Sequence, residues 1–307
     1  MSLETDLLLD RRRLKRHLFF WRSFAVVAVL AVILVALRGS NSWFIGSHVA
    51  RLTVSGIITA DRKLDREVAK LADDTRAKAL LVLVDSPGGS VAGGQALHDA
   101  IARVAEKKPV VVVMGGTAAS AGYMIAVPAA RIFAQESTLT GSIGVLLETG
   151  DISGLLKSIG VSADPIVSGP LKDQPSFVKP LSSEGRQMLQ GLVTDMYDQF
   201  VDMVAQGRHM DARRVRELAD GRPYTGRQAM KLGLVDAIGG EQDARQWLAQ
   251  EKGISSNLPV EDVSSGSYAS RALSTSLGWI FTELWKSVLS QGVILDGAQV
   301  VWQRSGN

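Results

Sequence analysis

Two apolar runs separated by a helical pattern constrain the fold more than any other feature of this chain. The first run is "ALLVLVDSP" at 79–87 and the second is "PVVVVMG" at 109–115. Continuous apolar runs of this length, each ending in turn-forming residues, are typical of parallel strands buried on both faces. The intervening stretch, 91–108, carries its alanine, leucine and isoleucine residues on one face and its charges on another. This strand–helix–strand unit predicts a mainly parallel sheet covered by helices.

The same alternation extends in both directions, so the fold class is α/β. Before the central unit, a strand is predicted at 49–58 and an amphipathic helix at 64–74. After it, a short helix follows the second run and stops at Pro128. Further strands are predicted at 131–135 and 141–148, and further helices at 150–160, 183–206 and 211–219.

The N-terminus combines a basic cluster with an apolar segment long enough to cross a membrane. No polar residue occurs from Phe24 to Leu37, and only Arg22 and Ser23 interrupt the longer stretch that starts at Leu18. Twenty helical residues span about 30 Å, the thickness of the hydrocarbon core. Trp21 and Trp43 bracket the segment as interfacial residues do. The basic cluster that precedes it consists of Arg11, Arg12, Arg13, Lys15 and Arg16.

These features predict a retained signal anchor with its N-terminus in the cytoplasm and all later residues outside. The alternative is a cleavable signal peptide, but "LRGSNSWF" after the apolar core lacks a small-x-small cleavage site. The predicted organisation is a cytoplasmic basic N-terminus at 1–22, a transmembrane anchor at 23–38, a catalytic domain at 49–253 and a C-terminal extension at 254–307. The predicted location is therefore a membrane, with the domain at 49–253 on its outer side.

Composition excludes several function classes. The chain of 307 residues has no cysteine, so a cysteine nucleophile and a thiolate metal site are excluded. Its four histidines show no metal-ligand spacing, and we therefore expect no metal and no cofactor. The net charge of +3 is small and the basic excess is local, which argues against a nucleic-acid partner. No P-loop motif is present, so nothing indicates ATP use.

Two strand ends carry the residues that suggest chemistry. "DSPGGS" at 85–90 ends the first apolar run, where a Pro-Gly-Gly turn exposes backbone N–H groups able to bind an oxyanion. "GGTAASAGYMIA" follows the second run and contains a single serine, Ser120. Ligands of parallel sheets bind at the carboxyl ends of the strands, so a donor loop and a serine there are suited to acyl transfer. The alternatives are an ordinary turn at 85–90 and a serine chosen for close packing.

A serine nucleophile requires a base, and lysine is the candidate. His98 lies within a helix and His209 in a loop, while Lys157 and Lys231 belong to solvent-facing helix surfaces. A lysine base acts when neutral, which requires desolvation beside the serine. Lys172 lies in the irregular segment "SGPLKDQPSF", where a side chain can point inward, and Lys179 is the weaker alternative. The adjacent carboxylate of Asp173 must then point away from the amine.

The set of motifs resembles the signal peptide peptidase A family, serine peptidases of the ClpP/crotonase-like superfamily. The resemblance covers about residues 49–250 and rests on "DSPGGS", "GGTAASAGYMIA", "LTGSIGV", "VSGPLKD" and "GRPYTGRQAMKLGLVDAIGG", in the family's order. It implies a ClpP/crotonase-like, mainly parallel sheet preceded by one transmembrane helix. It also implies a membrane-anchored serine endopeptidase that degrades signal peptides left in the membrane after protein export. The implied location is the cytoplasmic (inner) membrane of a bacterium, with the peptidase domain on the periplasmic side.

The resemblance assigns roles to five positions. Ser120 matches the nucleophile, Lys172 the general base, and Ser142 a serine that orients the lysine. By similarity to ClpP-type sites, the backbone N–H groups of Gly89 and Ala121 form the oxyanion hole. The short, single-repeat form of the family assembles into a homo-oligomeric ring, which implies peptide substrates and further copies of this chain as partners.

Two other function classes compete with the peptidase. A crotonase-like acyl-CoA hydratase or isomerase shares the turn and the "GLVD" motif but needs a carboxylate acid/base, for which Glu136 and Glu148 are the available residues. A non-catalytic membrane scaffold would have no need for Ser120 and Lys172.

The C-terminal extension contains an amphipathic stretch at 272–301. Its apolar residues recur at helical spacing: Leu277, Ile280, Phe281, Leu284, Trp285 and Leu289. Such a stripe can close the subunit's own core, lie on the membrane surface or dock on a neighbouring subunit. We expect the third role, in which the extension helps to assemble the ring and shields Lys172.

Overall fold

The computed structural model describes residues 20–28 and 46–263. Residues 20–28 form helix α1. In these two ranges, no helix has both the length and the apolar character that a membrane crossing requires. The rest of the predicted anchor, most of the basic N-terminus and the amphipathic stretch at 272–301 lie outside the described residues.

A single sheet of eight strands organises residues 46–263. Its spatial order is β6-β5-β3-β2-β1-β8, with β4 beside β3 and β7 beside β4. Every pairing is parallel except β5 with β6, so the predicted α/β class and mainly parallel sheet are confirmed. The strands are β1 (His48–Ile58), β2 (Ala77–Gly89), β3 (Val110–Ala119), β4 (Arg131–Ala134), β5 (Leu139–Gly141), β6 (Pro223–Thr225), β7 (Ala237–Ile238) and β8 (Val260–Asp262).

Helices connect and cover these strands. Two of them begin at serines whose hydroxyl oxygens accept a backbone N–H: Ser90 from Gly93 at 3.1 Å and Ser182 from Gly185 at 2.9 Å. The helices are α2 (Arg62–Lys70), α3 (Val91–Ala105), α4 (Ala121–Met124), α5 (Ser153–Ser158), α6 (Ser183–Gly207), α7 (Ala212–Leu218), α8 (Gly226–Lys231) and α9 (Glu241–Lys252).

The central strands are buried on both faces, as their sequences predict. In β2, Leu80 and Val82 belong to the larger apolar cluster, which includes residues of α3, α4 and α6. Leu81 points to the opposite face and joins a smaller cluster with Leu248 of α9. Because successive residues of a strand point to opposite faces, only an uninterrupted apolar run can bury both.

Strand β3 changes partners part-way along its length. Its first half, from Val111 to Met114, pairs with β4. Its second half, from Thr117 to Ala119, pairs with the short strand β5. This exchange brings the end of β5 beside the end of β3, where Ser120 follows.

Several predicted boundaries are wrong. The strand expected at 141–148 is Leu139–Gly141, and residues 142–152 have no regular secondary structure, because the chain turns at Gly141 and Ser142, whose φ angles are +75° and +47°. The helix expected at 64–74 is Arg62–Lys70, since Asp61 caps its start. The helix expected at 150–160 is Ser153–Ser158.

The C-terminal part of the domain contains elements that the sequence patterns did not indicate. They are β6, α8, β7, α9 and β8. Strand β8 pairs with β1 from Val260 to Asp262, so the sheet continues past residue 253, where the predicted domain ended.

Candidate active site

Ser120 lies at a strained turn between β3 and α4. Its backbone has φ 53° and ψ −120°, a combination that side-chain-bearing residues rarely adopt. Backbone strain of this kind persists only where the surrounding structure holds a residue in a particular orientation, and it is common at functional sites. The serine is the N-cap of α4, yet its side chain makes no capping hydrogen bond to the helix. The hydroxyl is therefore not committed to helix capping.

Ser142 adjoins this turn through the end of β5. The backbone N–H of Ser120 donates to the carbonyl of Gly141 at 2.9 Å, and Ser142 is the next residue. The N–H of Ser142 in turn donates to the carbonyl of Arg222 at 3.0 Å, just before β6. The exchange of partners by β3 thus brings two of the predicted site residues together.

The Pro-Gly-Gly segment packs directly against Ser120. Gly88 has φ +120°, a conformation open essentially only to glycine. A Cβ at this position would lie 2.9 Å from Cβ of Ser120 and 3.3 Å from the backbone nitrogen of Ala121. The segment was expected to be a turn, but it is extended and pairs with the end of β1, Ile57 opposite Gly88 and Ile58 opposite Gly89.

The backbone N–H groups at this contact differ in their hydrogen bonding. The N–H of Gly88 donates to the hydroxyl of Ser86 at 3.1 Å, so Gly88 itself is occupied. Ala121 is the first residue of α4, and its N–H has no acceptor four residues earlier in the helix. No other acceptor for it occurs among the hydrogen bonds of residues 46–263. Gly89 and Ala121, the two predicted oxyanion donors, therefore lie on adjoining segments around Ser120.

Lys172 is exposed in the subunit. It lies in a segment of turns, where its backbone N–H donates to the carbonyl of Gly169 at 3.1 Å. No hydrogen bond or ion pair of its side chain occurs among the described residues. The burial that a neutral lysine base needs is therefore not provided by the described residues.

The carboxylate next to Lys172 in the sequence pairs with another lysine. Asp173 points to Lys179, whose Nζ lies 2.7 Å from its carboxylate oxygen. This ion pair engages Lys179, the alternative base, and it gives the Asp173 carboxylate a partner other than Lys172. Lys157 and Lys231 are both exposed, as predicted.

The other candidate groups have different surroundings. The Nδ1 atom of His98 lies 2.9 Å from the carboxylate of Asp99, and His209 is exposed. Glu136 and Glu148, the acids that a hydratase would need, are both exposed. Within the described ranges, no group of three or more acidic or histidine side chains is placed to hold a metal ion.

Tyr123 is a site residue that the sequence reasoning missed. It lies in α4 and is fully buried, and its hydroxyl donates to the carbonyl of Leu234 at 2.9 Å. Burial raises the pKa of this phenol, so the group stays protonated as a donor. The bond ties the helix after Ser120 to the "GLVD" segment. A tyrosine three residues after the candidate nucleophile was the available signal.

Comparison with known proteins identifies the family. The model of peptidase family S49 matches residues 102–255. One relative is a protein of Synechocystis sp. whose name describes it as an inferred protease. It is 44% identical over 207 residues, which cover 67% of this chain and 75% of that relative. The chain belongs to peptidase family S49. It is accordingly a serine protease that acts on peptide substrates.

Further matches agree with the S49 assignment. A second relative is a protein of Enterococcus faecium whose name describes it as an inferred signal peptide peptidase SppA. It is 38% identical over 254 residues, which cover 73% of this chain and 74% of that relative. The chloroplastic serine protease SPPA of Arabidopsis thaliana is 31% identical and covers 80% of this chain, which spans 36% of that protein. The Clp protease family model matches residues 47–139.

Solved structures resemble the S49 chain only distantly. One is a membrane-bound stomatin-specific protease, with a TM-score of 0.48 and 17% identity, covering 72% of this chain and 99% of that one. At this distance the likeness carries no information on the site, whose geometry is that of this chain's own residues.

Proposed function

We propose that this S49 protease cleaves peptide bonds with Ser120 as nucleophile and Lys172 as general base. The observation that carries the proposal is the strained Ser120 turn, packed against Gly88 and hydrogen-bonded to the end of β5. A serine held in this way between a strand and a helix presents its hydroxyl to the crevice at the carboxyl ends of the strands.

The proposed reaction proceeds through an acyl-enzyme. The neutral amine of Lys172 removes the hydroxyl proton of Ser120 as its oxygen attacks the peptide carbonyl carbon. The carbonyl oxygen becomes an oxyanion, which accepts hydrogen bonds from the N–H groups of Gly89 and Ala121. The resulting lysine ammonium then protonates the leaving amine. Water, deprotonated by the same amine, hydrolyses the acyl-enzyme and restores the serine.

Ser142 orients the amine in this scheme. Its backbone is held on one side by the Gly141–Ser120 bond and on the other by the bond to Arg222. These two bonds hold the backbone of Ser142 next to the Ser120 turn, which supports the proposed role. Replacing Ser142 by alanine would remove one lysine partner and leave the amine in place, so a smaller loss is expected than at Lys172.

A lysine base must be shielded from water, and the described residues leave Lys172 exposed. We propose that a neighbouring copy of this chain shields the Lys172 amine in a homo-oligomeric ring. The segment that carries Lys172 exposes several large apolar side chains. Leu146 is 80% exposed and Ile166 fully exposed, and Leu155, Ile159 and Phe177 are also exposed. Contiguous exposed apolar residues are typical of interaction surfaces. Covering them would also exclude water from the amine.

The oligomer proposal is tested by removing the C-terminal extension. The cut belongs after Val263, because a cut at 253 would also remove β8. We expect the truncated chain to show a smaller mass in light scattering and a lower activity. A truncated chain that keeps both the full mass and the full activity would show that the extension does not assemble the ring.

The proposed substrates are signal peptides that remain in the membrane after protein export. The apolar segment at 24–37 supports membrane anchoring, and the inferred name of the E. faecium relative supports the substrate class. Ile57 is 74% exposed and lies opposite Gly88, which places an apolar side chain at the edge of the site. Carbonate extraction tests the anchor: the full chain should stay with the membranes, and a chain lacking residues 1–45 should be released.

Labelling with a fluorophosphonate tests the nucleophile. The wild-type chain should react, with the label found on the peptide that contains Ser120, and Ser120→Ala should neither react nor cleave peptides. Ser162→Ala is the matched control, because Ser162 is exposed in the irregular segment and should not affect the reaction. Activity of Ser120→Ala at an appreciable fraction of the wild-type rate would refute the assignment.

A further inference from the structure

The β2–β3 register contains an irregularity just before the Ser120 turn. Regular pairing stops at Val84, opposite Met114, and resumes at Ser86, opposite Ala118. One residue of β2, Asp85, therefore lies opposite three residues of β3, 115–117. A bulge of this kind bends the strand and redirects the residues after it.

The side chain of Asp85 is exposed and reaches from β2 to the backbone of β3 at this bulge. Its Oδ1 atom accepts the backbone N–H of Thr117 at 3.0 Å. A Cβ added to Gly115 would lie 3.2 Å from Cβ of Asp85, and one added to Gly116 would lie 3.6 Å from Oδ1. The missing side chain of Gly115 leaves room for the carboxylate to reach the strand backbone.

The bulge is also held from the opposite side. The hydroxyl of Thr138 donates to the carbonyl of Gly115 at 2.7 Å and accepts the N–H of Gln135 at 3.0 Å. It is within this bulge that β3 leaves β4, and the first β5 pair after it is Thr117 with Leu139. Asp85 thus binds the first residue of β3 that pairs with β5.

We infer that Asp85 is a positioning residue for peptide cleavage. By holding the N–H of Thr117, its carboxylate fixes where β3 joins β5, and so fixes Ser120 relative to Ser142. The inference rests on the proposed assignment of Ser120 as nucleophile. The two residues between Thr117 and Ser120 are buried and paired with β5, so a displacement at Thr117 is transmitted to the serine.

Two substitutions separate the hydrogen bond from the charge. Asp85→Asn keeps an oxygen acceptor for Thr117, while Asp85→Ala removes it. In the full-length chain we expect the alanine variant to lose about 10- to 100-fold in kcat, because small misplacements of reacting groups have effects of this size. KM should change less than about two-fold, since substrate-binding surfaces are untouched. The asparagine variant should stay within about three-fold of wild type, with an unchanged pH profile.

Asp74→Ala is the matched control. The carboxylate of Asp74 also accepts a backbone N–H, that of Arg76 at 2.9 Å, but it lies in the loop before β2, at the opposite end of that strand from Gly88. Its loss should leave kcat unchanged.

The rate of fluorophosphonate labelling distinguishes the two ways in which the inference can fail. A wild-type label on a residue other than Ser120 would overturn the nucleophile assignment itself. A label on Ser120 that forms at the wild-type rate in Asp85→Ala would overturn only the role of Asp85. Equal losses in Asp85→Asn and Asp85→Ala would mean that the charge matters and the hydrogen bond does not, which also contradicts the inference.

Discussion

Gly88 is the position where one added methyl group probes the Ser120 turn most directly. In Gly88→Ala, the new Cβ would lie 2.9 Å from Cβ of Ser120 and 3.2 Å from the carbonyl oxygen of Ala119. Adopting φ +120° costs a residue with a Cβ about 1–3 kcal/mol. Relieving the contacts costs roughly another 1–3 kcal/mol. We therefore expect the free energy of unfolding to fall by about 2–6 kcal/mol.

The activity should fall further than the stability implies. If the contact is relieved by moving Ser120 by about 1 Å, kcat/KM per folded molecule should fall about 100-fold. Stability is measured by thermal unfolding, where each kcal/mol corresponds to about 2–4 °C for a domain of this size. Activity is measured by peptide hydrolysis well below the unfolding temperature, and the reactive serine is counted by fluorophosphonate labelling.

Gly56→Ala separates backbone strain from contact with the serine. Gly56 also has a positive φ, +71°, but an added Cβ meets no atom within 4 Å. Its substitution should lower the unfolding temperature and leave kcat/KM per folded molecule unchanged. A folded Gly88→Ala variant with wild-type kcat/KM would refute the reasoning, because it would mean that the Gly88 segment does not position the reacting serine.

Three further predictions concern the base, the helix after the nucleophile and an ion pair at the sheet edge. Lys172→Arg should lose at least about 100-fold in peptide hydrolysis because a guanidinium stays protonated, while Lys179→Arg should remain active; the reverse result would move the base to Lys179. Tyr123→Phe should lower the free energy of unfolding by about 1–3 kcal/mol in denaturant titrations, because a buried carbonyl loses its donor; an unchanged midpoint would contradict this. The hydrogen bond from Arg51 lowers the pKa of Asp262 below its ordinary value of 3.8. The ionised carboxylate therefore stabilises the fold at a pH above 3.8, and this contribution is lost as the pH falls through the lowered pKa. Asp262→Asn should therefore lower the free energy of unfolding by less than about 1 kcal/mol at pH 7, seen as a slightly lower unfolding temperature, and should have no effect at pH 2. An equal decrease at both pH values would refute the linkage.

Local chemistry in the sequence was sufficient to predict the central elements. The runs at 79–87 and 109–115 are almost entirely apolar, and a strand must be apolar along its length to be buried on both faces. Ser90 and Ser182 mark helix starts because their hydroxyls satisfy N–H groups that the first turn leaves free. The position of Ser120 directly after a buried strand likewise follows from the order of residues alone.

Short elements could not be predicted in the same way. Strands β6, β7 and β8 have three, two and three residues, too few to show a period-two pattern. They are strands because longer neighbours offer them unpaired backbone groups, as β1 does for Val260 to Asp262. The strand expected at 141–148 failed for a different reason: Ile143 is buried in the core, but Leu146 and Leu147 are exposed, so the apolar run does not reflect a strand buried along its length.

The sequence by itself determined the α/β class and the buried strands, and it singled out Ser120 as the candidate nucleophile, because each of these inferences depends on residues that are close together in the chain. Only the tertiary structure decided that β3 leaves β4 for β5, that Gly88 packs against Ser120, and that Asp85 holds Thr117 from 32 residues away. It also decided that Lys172 is exposed in the single subunit. Hydrophobic periodicity specifies which face of an element is buried, but it carries no information on which neighbour covers that face.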